Sequence, residues 1–484
     1  MTISGALSNA LSGLTATSRL ADIVSSNLAN VLTDGYALRD VTLVARSDGG
    51  GVSVQGVTRQ VDAGLLADRR LAESGRAAAE TRAGFAASLQ RVIGSPETSG
   101  SLSARLATFE ASLITAAARP EEPNRLQAVA FAASDLAEGL NGISAQISKL
   151  RTQADGDIAR TVESLNRGLV NVGALNKQIT AAQINGRESA ALEDQRQKVI
   201  DGLSALLPLR EVPRANGAVA LVTTGGAMLL DGRASRIEFT TSAVVAPHMT
   251  TANGLLSGLN INGQTISIGE DKGPLSGGQL AALFDIRDDL AIEAQSNFDA
   301  LARDLIERFQ LPGLDPSLGV GDPGLFTDSG TFFDPTNEIG ISGRIALNTA
   351  VDPDRGGAPY RLRDGLGAVG PGAVGNAGLL LAMSDILKTP RSLGTGPSSG
   401  TARAFSGHIA SVLSITAQTQ LAEDQRLGFQ SSRAQELRSL ELTNGVDSDA
   451  ELQRLLVIEQ AFGANARMIQ TIDDMMQTLL RIGQ

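Results

Sequence analysis

The sequence predicts a mainly α-helical protein with an inserted β-rich domain, in which the N- and C-terminal helices pair as a coiled coil. Apolar residues recur at helical spacing near both ends of the 484-residue chain, which predicts two long amphipathic helices. A heptad-like rhythm through Leu140–Ile179 predicts an elongated helical rod of about 60 Å. From Pro208 to Gly273, short β-branched runs alternate with turn signals such as Asn262-Gly263, which predicts a small antiparallel β domain.

The two terminal helices carry broad apolar stripes and few charges. The first is expected over Ile3–Val31 and the last over Leu452–Leu480, with Asp447 at the N-cap of the last helix. Such a stripe can be the ordinary buried face of a globular helix, but at a chain end it leaves too much apolar surface in water. We therefore expect it to pack against other subunits. The residues predicted to do so are Ile3, Leu7, Leu11, Leu14, Val24, Leu28, Val31, Leu452, Leu455, Phe462, Ile469, Met476 and Leu480.

The patterns divide the chain into three predicted domains. A terminal coiled-coil domain with its linker is expected over 1–50 with 440–484. An elongated helical rod domain is expected over 51–208 with 276–311 and 374–439. A β-rich outer domain is expected over 209–275 with 312–373. Further helices are expected over Glu73–Ile93, Leu102–Ala118, Asn124–Gly139, Leu280–Leu305 and Ser406–Leu442.

Composition and charge exclude several classes of function. The net charge of −11 and the lack of a basic cluster argue against nucleic-acid binding, because a phosphate backbone would be repelled. The absence of cysteine excludes disulfides and thiolate metal sites. No apolar run is long enough to indicate a membrane span, and the N-terminus lacks the basic and apolar regions of a signal peptide. We therefore expect neither nucleic acid nor membrane insertion.

No arrangement of residues in the sequence predicts catalysis, a metal site or a cofactor. The two histidines, His248 and His408, are far apart in sequence, and neither has a ligand partner at helical spacing. The acidic segment Val351–Pro359 lacks the alternation and the closing glutamate of a calcium loop, so we interpret it as a turn. The alternative is an enzyme on a helical scaffold, which would require a deep polar cleft or a metal near His248, Asp352 or Asp354.

The two ends of the chain resemble one family. The stretch SSNLANVLTDGY, Ser25–Tyr36, resembles the N-terminal signature of bacterial flagellar axial proteins, and EQAFGANARMIQTIDDMMQTLLRI, Glu459–Ile482, resembles their C-terminal signature. The matching residues are Asn27, Asn30, Gly35, Tyr36, Asn465 and Gln470. Asp34 stands where the family has a turn proline, and Ala37-Leu38-Arg39 replaces the usual polar residue and arginine, so we expect a different turn there.

Two interior segments resemble the members of this family that join the hook to the filament. They are LEDQRQKVIDGLSAL, Leu192–Leu206, and GGQLAALFDIRDDL, Gly277–Leu290. The family's hook and rod components have mostly β structure between their terminal helices, so the long helix predicted over Leu140–Ile179 favours a junction protein. A hook or rod component is the alternative within the family.

The resemblance implies a structural role and no enzymatic activity. A ring of subunits within a helical lattice would join hook to filament and seed filament assembly outside the cell, after export from the cytoplasm through the flagellum's own secretion channel. The implied partners are other copies of the chain, the hook protein, the second junction protein, an export chaperone and the export apparatus. The terminal helices would become ordered when neighbouring subunits cover their stripes.

Overall fold

The computed structural model describes residues 3–33, 35–47, 50–95, 97–268, 273–396 and 399–482. Long helices make up most of these residues, and short strands form four small antiparallel sheets. The predicted mainly α-helical class with inserted β structure is therefore confirmed. The predicted turn residue Asp34 lies outside the described residues.

Helices α1 (Ile3–Ala29) and α11 (Ser448–Ile482) form an antiparallel pair. The two helices run in opposite directions, and Asn27, near the end of α1, therefore contacts Glu451, near the start of α11. The side chain of Asp447 accepts hydrogen bonds from the backbone N–H groups two and three residues later, at 2.9 and 3.1 Å. Asp447 is thus the N-cap of α11, as the sequence predicts.

A β-hairpin connects α1 to the rest of the chain. Its strands, β1 (Arg39–Ala45) and β2 (Val52–Arg59), are antiparallel, and Arg39 lies directly opposite Arg59 in the ladder. The predicted domain boundary at residue 50 falls inside this hairpin. The two strands on either side of residue 50 share one hydrogen-bonded ladder.

The body of the molecule is built around one very long helix. The helices here are α2 (Ala63–Ile93), α3 (Leu102–Ala118), α4 (Pro123–Ile184) and α5 (Ala190–Leu206). The two helices predicted on either side of Gly139 are parts of α4. Buried Leu136, Leu140 and Ile143 continue one apolar stripe through this point, and its packing outweighs the cost of about 1 kcal/mol for a glycine within a helix.

Two later helices complete the helical body. Helix α9 (Gly378–Lys388) packs against α3, and α10 (Phe405–Thr443) packs along α2. Helix α10 runs antiparallel to α2, with Gln430 beside Gly75 and Thr416 near Leu89.

The helix predicted over Leu280–Leu305 contains a π turn. Helix α6 (Gly278–Asp285) continues through the π-helical residues Ile286–Leu290 into α7 (Ala291–Phe309). The side chain of Arg287, within this turn, is fully buried, and its Nη1 lies 2.7 Å from Asp155 on α4. The irregular turn is thus associated with a buried ion pair, which periodicity alone does not reveal.

Two small sheets lie between α5 and α6. The strands are β3 (Leu209–Pro213), β4 (Val219–Thr223), β5 (Met228–Asp231) and β6 (Arg233–Ala234) in the first sheet, and β7 (Ile237–Glu238), β8 (Leu259–Ile261) and β9 (Gln264–Ile266) in the second. The predicted hairpin turn is confirmed, because Asn262 and Gly263 have φ angles of 51° and 81°.

Residues 312–373 do not join these sheets. They contain β10 (Phe326–Asp328), β11 (Ile345–Leu347) and the short helix α8 (Arg361–Asp364). The ring of Phe326 packs edge to face against Phe109 of α3 and Phe309 of α7, with ring centroids 5.8 and 5.1 Å apart. Aromatic contacts thus attach this segment to the helical body.

Two clusters of buried apolar residues form the core. The larger joins helices α2, α3, α4, α7, α9 and α10 with residues 325–366, and the smaller joins α4, α5 and α6 with the two sheets. Within the described residues, neither cluster extends before Phe85 or beyond Leu413. Helix α1, the β1–β2 hairpin and α11, which we call the terminal module, therefore lie outside both clusters.

Candidate assembly interface

Asn27 connects the parts of the terminal module. Its side chain is fully buried. The Nδ2 group donates to the carbonyl oxygen of Arg39 and to Oε2 of Glu451, both at 2.9 Å. Oδ1 accepts hydrogen bonds from the Tyr36 hydroxyl at 2.8 Å and from the Arg39 backbone N–H at 3.1 Å. Helix α1, the following turn, β1 and α11 thus meet at one amide whose hydrogen-bonding capacity is filled.

The other N-terminal signature residues shape the turn beside Asn27. Asn30 Nδ2 donates to the carbonyl oxygen of Ser26 at 2.9 Å, near the end of α1. Gly35 has a φ of 80°, in the left-handed region that favours glycine. The guanidinium of Arg39 lies over the Tyr36 ring, 4.7 Å from its centroid. The structure therefore brings these signature residues together around the exit from α1.

Glu451 takes part in the contact around Asn27, and its spacing in the sequence did not predict that. It is buried, and it receives a hydrogen bond from Asn27. Arg454, one turn later, lies 3.7 Å from Glu451 and also pairs with Asp40 on β1. An acid in the first turn of a helix is normally explained by the helix dipole. Only its pairing with Asn27, far away in sequence, reveals its second role.

Asn465 occupies space that Gly13 leaves open on the facing helix. A Cβ atom added at Gly13 would lie 2.8 Å from Asn465 Nδ2, closer than packed atoms approach. A polar residue opposite a glycine in this way favours one register of the helix pair. Gln470, the other C-terminal signature residue, is exposed.

Most of the predicted packing stripe is not covered within the chain. Val24 is buried, at 1% exposure. Five others are between 43% and 71% exposed: Leu11, Leu452, Phe462, Met476 and Leu480. The remaining seven are half-buried: Ile3, Leu7, Leu14, Leu28, Val31, Leu455 and Ile469. Much of the stripe is therefore available to a partner.

Helix α11 also exposes a second row of apolar residues. This row and the predicted packing stripe lie on opposite sides of the face that contacts α1. The contact face contains Ile458 and Ile472, which are buried and which the sequence analysis missed. Beside this face, residues at helical spacing form what we call the outer row: Val457, Met468, Met475, Leu479 and Ile482, each at least 46% exposed. Exposed apolar surface of this extent makes the helix pair a candidate protein interface.

In the isolated subunit, amides of α1 and α11 should exchange with solvent much faster than those of α4. The terminal module contributes to neither core cluster, and few of its side chains are buried, so local opening costs little free energy. Hydrogen exchange with mass spectrometry measures this, and peptides from residues 140–179 serve as the protected reference. Equal protection of α1, α11 and α4 in a verified monomer would contradict the expectation.

The interior segment Leu192–Leu206 forms α5, which binds arginines from two other elements. Asp194 accepts from Arg39 and Arg59 of the hairpin, at 2.7 and 2.6 Å. Asp201, two turns later on α5, accepts from Arg69 and Arg70 of α2, both at 2.6 Å. Because residues seven apart lie on the same face of a helix, α5 presents two carboxylates in a row.

The interior segment Gly277–Leu290 holds α6 close to α5 and to α4. A Cβ atom at Gly278 would lie 2.6 Å from the carbonyl oxygen of Leu206, so this approach requires glycine. Burial lowers the pKa of Arg287, but hydrogen bonds to Asp288 and Asp155 outweigh it and leave that pKa above its ordinary value. Arg287 is therefore a charged group inside the protein, held by carboxylates.

Two residues considered in the search for a metal or catalytic site, His408 and Asp352, have structural contacts. His408 is buried, and its Nε2 lies 2.6 Å from the carbonyl oxygen of Arg391. The side chain of Asp352 accepts from the backbone N–H of Asp354 at 3.0 Å and caps a short turn. Over the described ranges, no group of three or more His, Cys, Asp or Glu side chains is placed to hold a metal ion. None of the described helices is long and apolar enough to cross a membrane.

Three family models match the chain. The model of the flagellar hook-associated protein FlgK helical domain matches residues 86–311. The flagella basal body rod protein model matches residues 7–36, and the flagellar basal body rod FlgEFG protein C-terminal model matches residues 442–482. The matches thus cover most of both helices of the terminal module and the part of the body from the end of α2 through α7.

Curated relatives match about half of the chain. Flagellar hook-associated protein 1 of Bacillus subtilis is 26% identical over 240 residues, covering 46% of this chain and 47% of the relative. That of Salmonella typhimurium is 25% identical over 260 residues, covering 51% of this chain and 46% of the relative. The chain spans about half the length of these relatives. The solved flagellar hook junction protein FlgK from Burkholderia pseudomallei has a TM-score of 0.43 at 21% identity, covering 55% of this chain and 47% of that one.

The matches at the two ends, together with the paired helices that they cover, make the chain similar to proteins of the flagellar axial class. The curated relatives are named as flagellar hook-associated proteins. Within this class, the chain is similar to flagellar hook-associated protein 1, as the sequence resemblance indicated.

Proposed function

We propose that the chain is a structural subunit of the flagellar axial tube, placed where hook and filament join, and that it seeds filament assembly. The observation that carries this proposal is the outer surface of the terminal module. Helices α1 and α11 pair with each other, lie outside both core clusters and expose apolar residues on two sides of α11. Such a surface fits burial against other copies of the chain or against other axial proteins.

In this proposal the contacts between subunits are head-to-side. A heterologous contact repeats along a helical lattice, whereas a two-fold contact closes a dimer. The α1–α11 pairs would line the inside of the tube, with the helical body and the β sheets further out. Helix α4 has 62 residues, a length of about 90 Å, so the body has the reach to extend well away from the axis.

The proposal includes the route and the partners of the subunit. The chain leaves the cytoplasm through the flagellum's own export apparatus with an export chaperone and is then located outside the cell. At the junction it contacts the hook protein on one side and the second junction protein on the other. The likeness to hook-associated proteins supports this placement.

The long helical body favours a junction protein over the alternative of a hook or rod component. Those components have mostly β structure between their terminal helices, whereas here α4 forms the centre of both core clusters. The match of the helical-domain model to residues 86–311 supports the same choice.

Cells that lack this protein should build hooks but release unpolymerised flagellin into the medium. Electron microscopy of the cell surface counts hooks, and immunoblotting of the culture supernatant measures released flagellin. Re-expression of the full chain should restore filaments and serves as the control. Loss of the hooks would assign the chain to the hook or rod, and normal filaments would refute a junction role.

A further inference from the structure

The polar contacts between the β1–β2 hairpin and α5 all depend on two arginines. Within the described residues, every hydrogen bond or ion pair from the hairpin to α5 uses Arg39 or Arg59. Both guanidinium groups bind the carboxylate of Asp194, one on each oxygen, and Arg59 also binds Gln197. The hairpin lies outside both apolar core clusters. Charge, rather than a shared core, therefore connects the two parts.

Asp194 offsets the repulsion between the positive charges of the two arginines. Arg39 and Arg59 are directly opposite each other in the β1–β2 ladder. Like charges at directly opposed positions destabilise a strand pair. Asp194 places one negative charge between them, and the side chains of all three are only 13% to 14% exposed. Without the carboxylate, two neighbouring positive charges would repel each other at the contact with α5.

The surroundings of this contact leave room for movement. A cavity of about 260 Å³ lies between the turn after α1 and the body, lined by Asn30, Gly35, Lys198, Asp201 and Glu441 among others. The covalent connections between module and body are short segments without helix or strand, residues 60–62 and 444–447. Few φ and ψ angles at these two connections need to change to rotate the module relative to the body.

We propose that Asp194 is an anionic latch, which fixes the direction in which the hairpin leaves the helical body. When the carboxylate is neutralised, the hairpin swings away from α5 while hairpin and body each stay folded. This inference concerns a hinge within one subunit and does not depend on the proposed role in the flagellum. It assigns to Arg39, Arg59 and Asp194 a positioning role.

Distances between two spin labels test the latch in the full-length chain. The chain has no cysteine, so Ser53→Cys in β2 and Val170→Cys on α4 create the only two labelling sites, both at exposed positions. We expect one narrow distance distribution without further change and loss of that distribution in Asp194→Asn. Asp194→Glu keeps the carboxylate and should keep a single narrow distance.

A matched control separates the latch from a general effect of charge. Asp231→Asn removes the carboxylate of the exposed Arg214–Asp231 pair within the β sheets and should leave the distance unchanged. Circular dichroism should show equal helical content in all variants. The proposal is overturned if Asp194→Asn keeps the narrow distance distribution, or if the labelled chain without Asp194→Asn already shows a broad distribution. It is also overturned if Asp231→Asn broadens the distribution equally, or if Asp194→Asn loses helical content.

Discussion

A subunit carrying Met468→Asp and Met475→Asp should fold and leave the cell but fail to join the flagellum, so that the cells lose motility. Both methionines belong to the outer row of α11 and are 51% and 46% exposed in the single chain. An exposed aspartate costs a lone subunit little. A carboxylate buried without a partner at a subunit contact costs at least several kcal/mol, and the cost recurs in every subunit of the assembly.

Swimming in soft agar and the location of the subunit measure this effect. We expect the variant in the culture medium, together with unpolymerised flagellin. The control carries the same added charge on the body, as Val170→Asp and Ile184→Asp, at positions of α4 that are 64% and 68% exposed. Motile cells with the α11 variant, or equal loss of motility with the control, would show that the outer row is not a subunit contact.

The parts of the fold that sequence predicted best depend on local signals. Helix α3 has the predicted bounds Leu102–Ala118, and Asp447 caps α11, because spacing and capping are properties of neighbouring residues. The position of residues 312–373 depends instead on distant partners. The contact of Phe326 with Phe109 attaches this segment to the helical body, and nothing near Phe326 in sequence specifies that contact.

The candidate interface shows the same division between local and distant information. Resemblance identified Asn27 and Tyr36, and spacing identified apolar stripes on both terminal helices. Which edge of α11 faces α1 was not predictable, because α11 is apolar over most of its circumference and any of several rows fits a helical period. The contact with α1 selects Ile458 and Ile472, and this leaves the outer row exposed.

The interior segments were recognised without their roles. Asp194 and Asp201 occur in a segment that resembles the family, but their partners Arg39 and Arg70 lie more than a hundred residues earlier. In a sequence, such acids are indistinguishable from the solvated face of a helix. Their function becomes visible only when the fold places two arginines on each carboxylate.

Asp155→Ala should cause a large loss of stability in the body. Asp155 and Arg287 are both fully buried and lie 2.7 Å apart. Removal of one partner leaves a buried charge incompletely paired, which typically costs about 3 to 5 kcal/mol. The remaining carboxylate of Asp288, 2.8 Å from Arg287, should keep the loss towards the lower end of this range.

The same substitution should also release a loop, which distinguishes it from general destabilisation. Asp155 Oδ2 accepts from the backbone N–H of Ser242 at 2.7 Å, and Arg287 Nη2 donates to the carbonyl oxygen of Ser257 at 3.0 Å. Calorimetry should show a lower Tm, and limited proteolysis should cut between residues 242 and 257 first. Asp155→Asn keeps an acceptor for the backbone N–H of Ser242 and should protect the loop from proteolysis better than Asp155→Ala. Asp231→Ala removes the carboxylate of an exposed pair and should change neither the Tm nor the first site of proteolysis. An unchanged Tm in Asp155→Ala would mean that Asp288 alone neutralises Arg287, since no other carboxylate among the described residues is within ion-pair distance of that guanidinium.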